Sequence, residues 1–207
     1  MIEDSLPLPA TRKADTLAIR IARGLLRLIG WQIEGDLPDA PKFVLIVFPH
    51  TSNWDVPIGL ICGHALGLLS GWPYGYMVKD SAIRWPVIGR VLRALGGIPI
   101  NRRSANNLVE QMAAILRQSD RLMLAITPEG TRKKTAYWKT GFYHIAREAQ
   151  APIVLAFLDY ARKVGGIGPT ILPSGDIETD FEIIRQFYAG VTAKFPHEAG
   201  EVRIKTS

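Results

Sequence analysis

The sequence predicts an α/β domain: a mixed, largely parallel sheet flanked by helices on both faces, with an amphipathic helix at the N-terminus. Three observations predict it. Residues 42–48, 121–127 and 152–157 are short apolar runs rich in strand-forming residues, and they read as buried strands. Stretches with apolar residues at helical spacing lie between them, and such alternation belongs to a sheet covered on both sides. The chain has 207 residues, 47% apolar and 21% charged, which is the size and composition of one packed domain and excludes a disordered, collagen-like or coiled-coil chain.

The first element is a helix over residues 15–31. Arg20, Arg23 and Arg27 cluster on one face at 100° per residue, while Leu17, Ile21, Leu25, Leu28 and Ile29 occupy the other. Two readings fit: an ordinary surface helix packed on the domain, or a helix lying in a membrane interface with its arginines toward anionic lipid. A cleavable signal peptide is not expected, because residues 1–9 carry two acids and no base and the arginines interrupt the apolar stretch.

Residues 56–78 contain no Asp, Glu, Lys or Arg, a length that reaches a membrane span. Pro57, Pro73 and the glycines at 59, 63, 67, 71 and 75 cut that run. It reads instead as a buried helix over 56–70, a turn at 71–73 and a strand over 74–78. The fourfold glycine spacing suggests a smooth strip for close packing.

Further on, residues 86–95 read as a short helix with Pro86 in its first turn. Residues 98–100 are extended and near a sheet edge, since Pro99 has no N–H to donate. Ser104 caps a helix to about residue 119, whose buried face is Leu108, Val109, Met112, Ile115 and Leu116. A helix is expected over 140–150 and a turn over 165–168. Thr179 and Glu182 read as the capping box of a last helix with Phe181, Ile184, Tyr188 and Val191 inward.

Lys and Arg total 25 against 19 Asp and Glu, a net charge of +6, which favours anionic partners. The bases concentrate in the first helix and in two loops. They are not interleaved with aromatics over a surface, so no nucleic-acid partner is expected. The single cysteine, Cys62, excludes an intramolecular disulfide framework and a multi-Cys zinc site. The remaining histidines show no metal-ligand spacing, and neither a metal nor a cofactor is expected.

The chemistry-bearing segment follows the first apolar strand: His50-Thr-Ser-Asn-Trp-Asp55. On a continuous helix this spacing turns the two side chains ~140° apart. They meet only if His50 lies in a strand-to-helix loop and Asp55 in the first helical turn, with Ser52 and Asn53 as caps. A carboxylate beside a histidine fixes the tautomer and stabilises the imidazolium, making a better general base. Two further loops carry bases, one ending in Arg102 and Arg103 and the other running from Thr127 to Lys134. Arginine with Gly and Thr in a tight loop beyond a strand suits a phosphate.

These blocks, in this order, resemble the glycerolipid acyltransferases typified by 1-acylglycerol-3-phosphate acyltransferases. His50 to Asp55 resembles their His-x4-Asp signature, and residues 96–102 their second block. Pro128-Glu129-Gly130-Thr131-Arg132 is identical to their Pro-Glu-Gly-Thr-Arg, and Ala151 to Val154 resembles the fourth block. The resemblance covers roughly residues 43–157. Thr127 stands where an aromatic is frequent, Asn101 where an acid is frequent, and the second proline of the fourth block is missing.

The resemblance implies acyl transfer from a thioester, acyl-CoA or acyl-carrier protein, to a hydroxyl of a lysophospholipid. His50 is then the base and Asp55 its partner. Lys79, Arg102, Glu129, Gly130, Thr131 and Arg132 are the substrate-binding positions, Lys79 toward the oxyanion and the others toward an anionic head. With the periodicity of the first helix, the chain is expected to divide into an N-terminal amphipathic segment, residues 1–31, as a candidate membrane-surface anchor, and an acyltransferase domain, residues 32–207. The expected location is peripheral, on the cytoplasmic side of a membrane with an anionic surface. A different hydroxylated acceptor, such as a lyso-aminoacid lipid, and a non-catalytic lipid-binding role on the same fold remain as alternatives.

Overall fold

In the computed structural model the apolar runs become a seven-stranded sheet. The structure describes residues 16–79, 84–86, 89–90, 96–100 and 105–205, with the side chains of Lys79, Ile100 and residues 105–107 excluded. In chain order the elements are α1 (Leu17–Leu28), β1 (Gln32–Glu34), β2 (Lys42–Val47), α2 (Asp55–Leu66), α3 (Leu68–Gly71) and β3 (Tyr74–Lys79). Then come β4 (Gly97–Ile100), α4 (Ala105–Gln118), β5 (Leu122–Ile126), α5 (Gly141–Glu148), β6 (Ile153–Asp159), β7 (Val164–Ile171) and α6 (Ile177–Tyr188). A 3-10 turn, Pro196–Glu198, follows.

The strand order is β1-β7-β6-β2-β5-β3-β4. Every neighbouring pair is parallel except β6 and β7. β2, with β5 on one side and β6 on the other, is central, and its residues 43–46 are all buried. Val44 and Ile46 face a core built with Met112 and Leu116 of α4, Phe142 and Ile145 of α5, and Phe181 and Ile184 of α6. Phe43 and Leu45 face the opposite layer with Leu68 and Trp72. α1 joins that side through Ala22 and Leu26, which pack with Cys62 and Ala65 of α2 and Leu158 of β6. Each fully buried side chain of Leu or Phe size stabilises the fold by about 1.5–3 kcal/mol.

Several expectations are corrected. The helix after His50 breaks at Gly67, whose φ of +83° is left-handed and splits it into α2 and α3. The glycines therefore do not form one continuous strip. α2 is not wholly buried either, since Val56 is 57% and Leu60 43% exposed. Residues 165–168 are not a turn but lie within β7. Their glycines answer a need for close approach: a Cβ on Gly165 would lie 2.5 Å from Cys62 Sγ, one on Gly166 2.3 Å from the Glu34 carbonyl, and one on Gly168 2.1 Å from the Phe187 ring.

The cap of α6 is Asp176, which accepts from the N–H groups of Glu178 and Thr179, and Glu182 binds Arg185 rather than closing a capping box. Asp176 wins because its carboxylate reaches two unpaired N–H groups of the first turn at once. On α1 the buried side is Ile19, Ala22 and Leu26, and the apolar row Leu17, Ile21, Leu25 and Leu28 faces outward. Arg23 is half-buried and donates to the Ala65 carbonyl of α2 at 3.1 Å.

β4 pairs only with β3, which places Pro99 on an edge as expected. Of the short helix expected over 86–95, Pro86, Gly89 and Arg90 are helical; the others lie outside the described residues, as does Ser104. No helix among the described residues is long and apolar enough to cross a membrane.

Candidate active site

β5, β2 and β6 are adjacent and parallel, so the loops leaving their C-terminal ends emerge together at one edge of the sheet. Those loops carry Pro128 to Arg132, His50, and Tyr160 respectively. β2 leads through a cis Phe48–Pro49 bond into the loop that holds His50. Asp55 is the first residue of α2, so the five-residue spacing is bridged by a loop and a helix start. The expected caps Ser52 and Asn53 do not cap the helix: its N-cap is Trp54, with no side-chain cap, because Asp55 turns back on the loop instead. Ser52 Oγ accepts from the Trp54 N–H at 3.1 Å within the turn.

The Asp55 carboxylate is 4% exposed and its hydrogen bonds are all to this loop or to Tyr160. His50 Nδ1 lies 3.2 Å from Oδ2, which also accepts from the N–H groups of Thr51 and Ser52 at 2.8 Å each. Oδ1 accepts from the Tyr160 hydroxyl at 2.7 Å. Burial pushes the Asp55 carboxyl upward, but the bonds from His50, Tyr160, Ser52 and Thr51 outweigh it and hold it below the usual carboxylate range. Asp55 is therefore ionised at neutral pH and aimed at the ring. With Nδ1 engaged, Nε2 is the nitrogen left to exchange a proton with a substrate.

Glu129 is placed differently from the expectation. It is 1% exposed, and its two oxygens accept from the backbone N–H of His50 at 3.1 Å and of Gly200 at 3.2 Å. It ties the His50 loop to the C-terminal segment and has no open side for a substrate. Burial raises its carboxyl, and the two N–H donors offset only part of that. Gly130 has φ +65°, and a Cβ there would lie 2.8 Å from Lys139 Nζ, so the turn that its N–H closes onto the Thr127 carbonyl requires glycine. The Thr131 hydroxyl is exposed and accepts from the Lys133 N–H at 3.3 Å.

Arg132 is exposed and borders an open cleft of about 290 Å³, lined also by Thr51, Ser52, Asn53, Trp54 and Phe195. Trp54, inside the His50–Asp55 segment, forms one wall of it. Lys79 ends β3, at the same edge of the sheet; its side chain lies outside the described residues, and so does Arg102.

The sequence reading gave no site role to Lys194, Phe195 or Gly200, and did not foresee the contact of Tyr160 with Asp55. Phe195 lines the cleft and its N–H donates to Thr51 Oγ1 at 3.2 Å; Lys194 Nζ stands 5.2 Å over the Trp54 ring. No local pattern marks these residues, because only the folded chain brings them to the loop. Arg162, two residues beyond Tyr160, is engaged with Asp159 at 2.8 Å and Glu34 at 3.4 Å. Burial pushes the Cys62 thiol up to about 12, so it stays protonated and offers no nucleophile.

A histidine held by a buried carboxylate has the geometry that general-base chemistry needs. Comparison with known proteins bears on the family and the fold. A sequence model of the acyltransferase family matches residues 33–156. No protein of curated function matches the chain. Among solved structures it is similar to the 1-acyl-sn-glycerophosphate (LPA) acyltransferase PlsC from Thermotoga maritima, at 14% identity over 82% of this chain and 76% of that one, with a TM-score of 0.54. At that identity the likeness concerns the fold. The family match spans more than half of the chain and takes in β2, the His50–Asp55 loop and the Pro128–Arg132 loop, and by it this chain belongs to the acyltransferase family.

Proposed function

We propose that the protein moves a fatty acyl group from a thioester, acyl-CoA or acyl-carrier protein, to the hydroxyl of a lysophospholipid such as 1-acylglycerol-3-phosphate. The observation that carries this is the His50–Asp55 pair, 3.2 Å apart, in the same loop whose residues Thr51 to Trp54 line a cleft with Arg132. His50 Nε2 takes the acceptor's hydroxyl proton as the oxygen attacks the thioester carbonyl. The tetrahedral intermediate collapses, the C–S bond breaks, and the imidazolium returns the proton to the departing thiolate. Asp55 keeps the ring in place and offsets its positive charge in the transition state.

Arg132 takes the acceptor's phosphate, for which a guanidinium fork is suited. Lys79 and Arg102 are proposed to join it, from the ends of β3 and of the segment after β4. Glu129 serves by fixing the His50 loop. The similar solved structure is that of a 1-acyl-sn-glycerophosphate acyltransferase, which supports the acceptor class. The exposed apolar row of α1, with Arg20 and Arg27 beside it, supports a peripheral seat on an anionic membrane face; the cytoplasmic side is our proposal.

The acceptor test is a thiol-release assay with both donors, comparing acceptors that carry and lack an anionic head. The wild type prefers the anionic acceptor. Arg132→Ala raises its KM roughly 10-fold or more, leaves kcat nearly unchanged and narrows the preference. If Arg132→Ala keeps the preference intact, the phosphate is held elsewhere.

A further inference from the structure

We propose that Tyr160 is a positioning residue for acyl transfer: its hydroxyl locks the Asp55 carboxylate from the side opposite His50. The assignment rests on His50 and Asp55 being the reacting pair. Asp55 Oδ2 gathers the contacts of its own loop, the His50 ring and the N–H groups of Thr51 and Ser52. Contacts converging on one oxygen leave the carboxylate plane free to swing about that oxygen. Tyr160 supplies the contact on Oδ1, at 2.7 Å, and removes that freedom. The orientation of Asp55 is then transmitted to the imidazole, where a small misplacement costs rate.

Tyr160 is itself held firmly. Its ring meets Trp31 edge-on, 5.1 Å between centroids, and its N–H donates to the Thr192 carbonyl at 2.9 Å. Lys194 Nζ stands 5.6 Å over its face, and a cation there makes the phenol a stronger donor. Burial and the neighbouring Asp55 push the phenol upward in pKa, so it keeps its proton and donates throughout the neutral range. Tyr160 lies just after β6, beyond the stretch matched by the family model, which ends at residue 156. The site is therefore completed by a part of the chain that the family signature does not contain.

The variant is Tyr160→Phe, which keeps the ring against Trp31 and removes only the hydroxyl. A hydrogen bond to a charged group predicts a kcat loss of about 10- to 100-fold, with acceptor KM within about twofold of wild type. The charged and titratable groups around the pair are His50, Asp55, Glu129, Cys62 and Lys194, and the substitution alters none of them.

The deciding measurement is a double-mutant cycle with Asp55→Asn. If Tyr160 acts through the Asp55 charge, adding Tyr160→Phe to Asp55→Asn lowers kcat by less than about twofold. Wild-type kcat in Tyr160→Phe overturns the proposal, and so does an equal loss in both backgrounds, which marks a purely structural staple. If Asp55→Asn alone keeps full kcat, the His50–Asp55 reading fails and this proposal falls with it.

Discussion

His50 stands between two buried carboxylates with opposite surroundings. Asp55 is held down by hydrogen bonds and faces the ring, while Glu129 is pushed up by burial and accepts from the backbone. Their roles separate by experiment. A glutamine at 129 has one acceptor oxygen, so either His50 N–H or Gly200 N–H loses its partner, at a cost of about 1–3 kcal/mol. Glu129→Gln is expected to lower Tm, by about 2–4 °C for each kcal/mol lost in a domain of this size. It also lowers kcat through the displaced His50 loop while acceptor KM stays near wild type. A rise in acceptor KM with Tm unchanged would place Glu129 on the substrate instead. Its carboxyl also titrates with a definite sign: the raised value makes its contribution to stability complete below the unfolded carboxylate range and lost as pH rises through the folded value. The His50–Asp55 meeting was legible in the sequence because it is local, a loop and one helical turn. Tyr160 was not, because 105 residues separate it from Asp55 and only the β2–β6 pairing brings them together.

At the scale of elements, the outer face of α1 asks for an explanation that packing does not supply. Ile19, Ala22 and Leu26 anchor the helix on α2, and Leu17 and Leu28 remain 72% and 83% exposed. The proposed membrane seat predicts that the protein sediments with anionic vesicles and that high salt weakens the binding. Ile21→Asp with Leu25→Asp changes only exposed positions, so the fold persists, and vesicle affinity falls by about 10-fold or more. Vesicle binding unchanged in that double variant contradicts the assignment. Periodicity revealed the apolar row but not its direction, because a helix with three kinds of face shows two apolar stripes and only the packing partner decides which is buried. The central strands β2, β5 and β6 were legible from continuous apolar runs, since both their faces are covered. β1 has three residues, too few for a pattern. β7 was hidden by glycines that admit Cys62 and Phe187 and read as a turn.

At the scale of the molecule, the strand order makes the site. Placing β2 between β5 and β6 gathers the His50 loop, the Pro128–Arg132 loop and Tyr160 at one edge, and the segment from Thr192 to Gly200 closes over them. The fold class was legible because alternation of strands and helices is a property of the whole chain. The closing segment was not, because its hydrogen bonds to Thr51, Glu129 and Tyr160 run largely through backbone groups that every residue carries. The proposed function makes His50 the base of a direct acyl transfer. Its decisive assay is the steady-state rate of thiol release from an acyl thioester with a lysophospholipid acceptor, in wild type and His50→Ala. In the variant kcat is expected to fall by about 10²–10⁴-fold or more, with acceptor KM little changed. Thioester-dependent acylation at the wild-type rate in His50→Ala would contradict it.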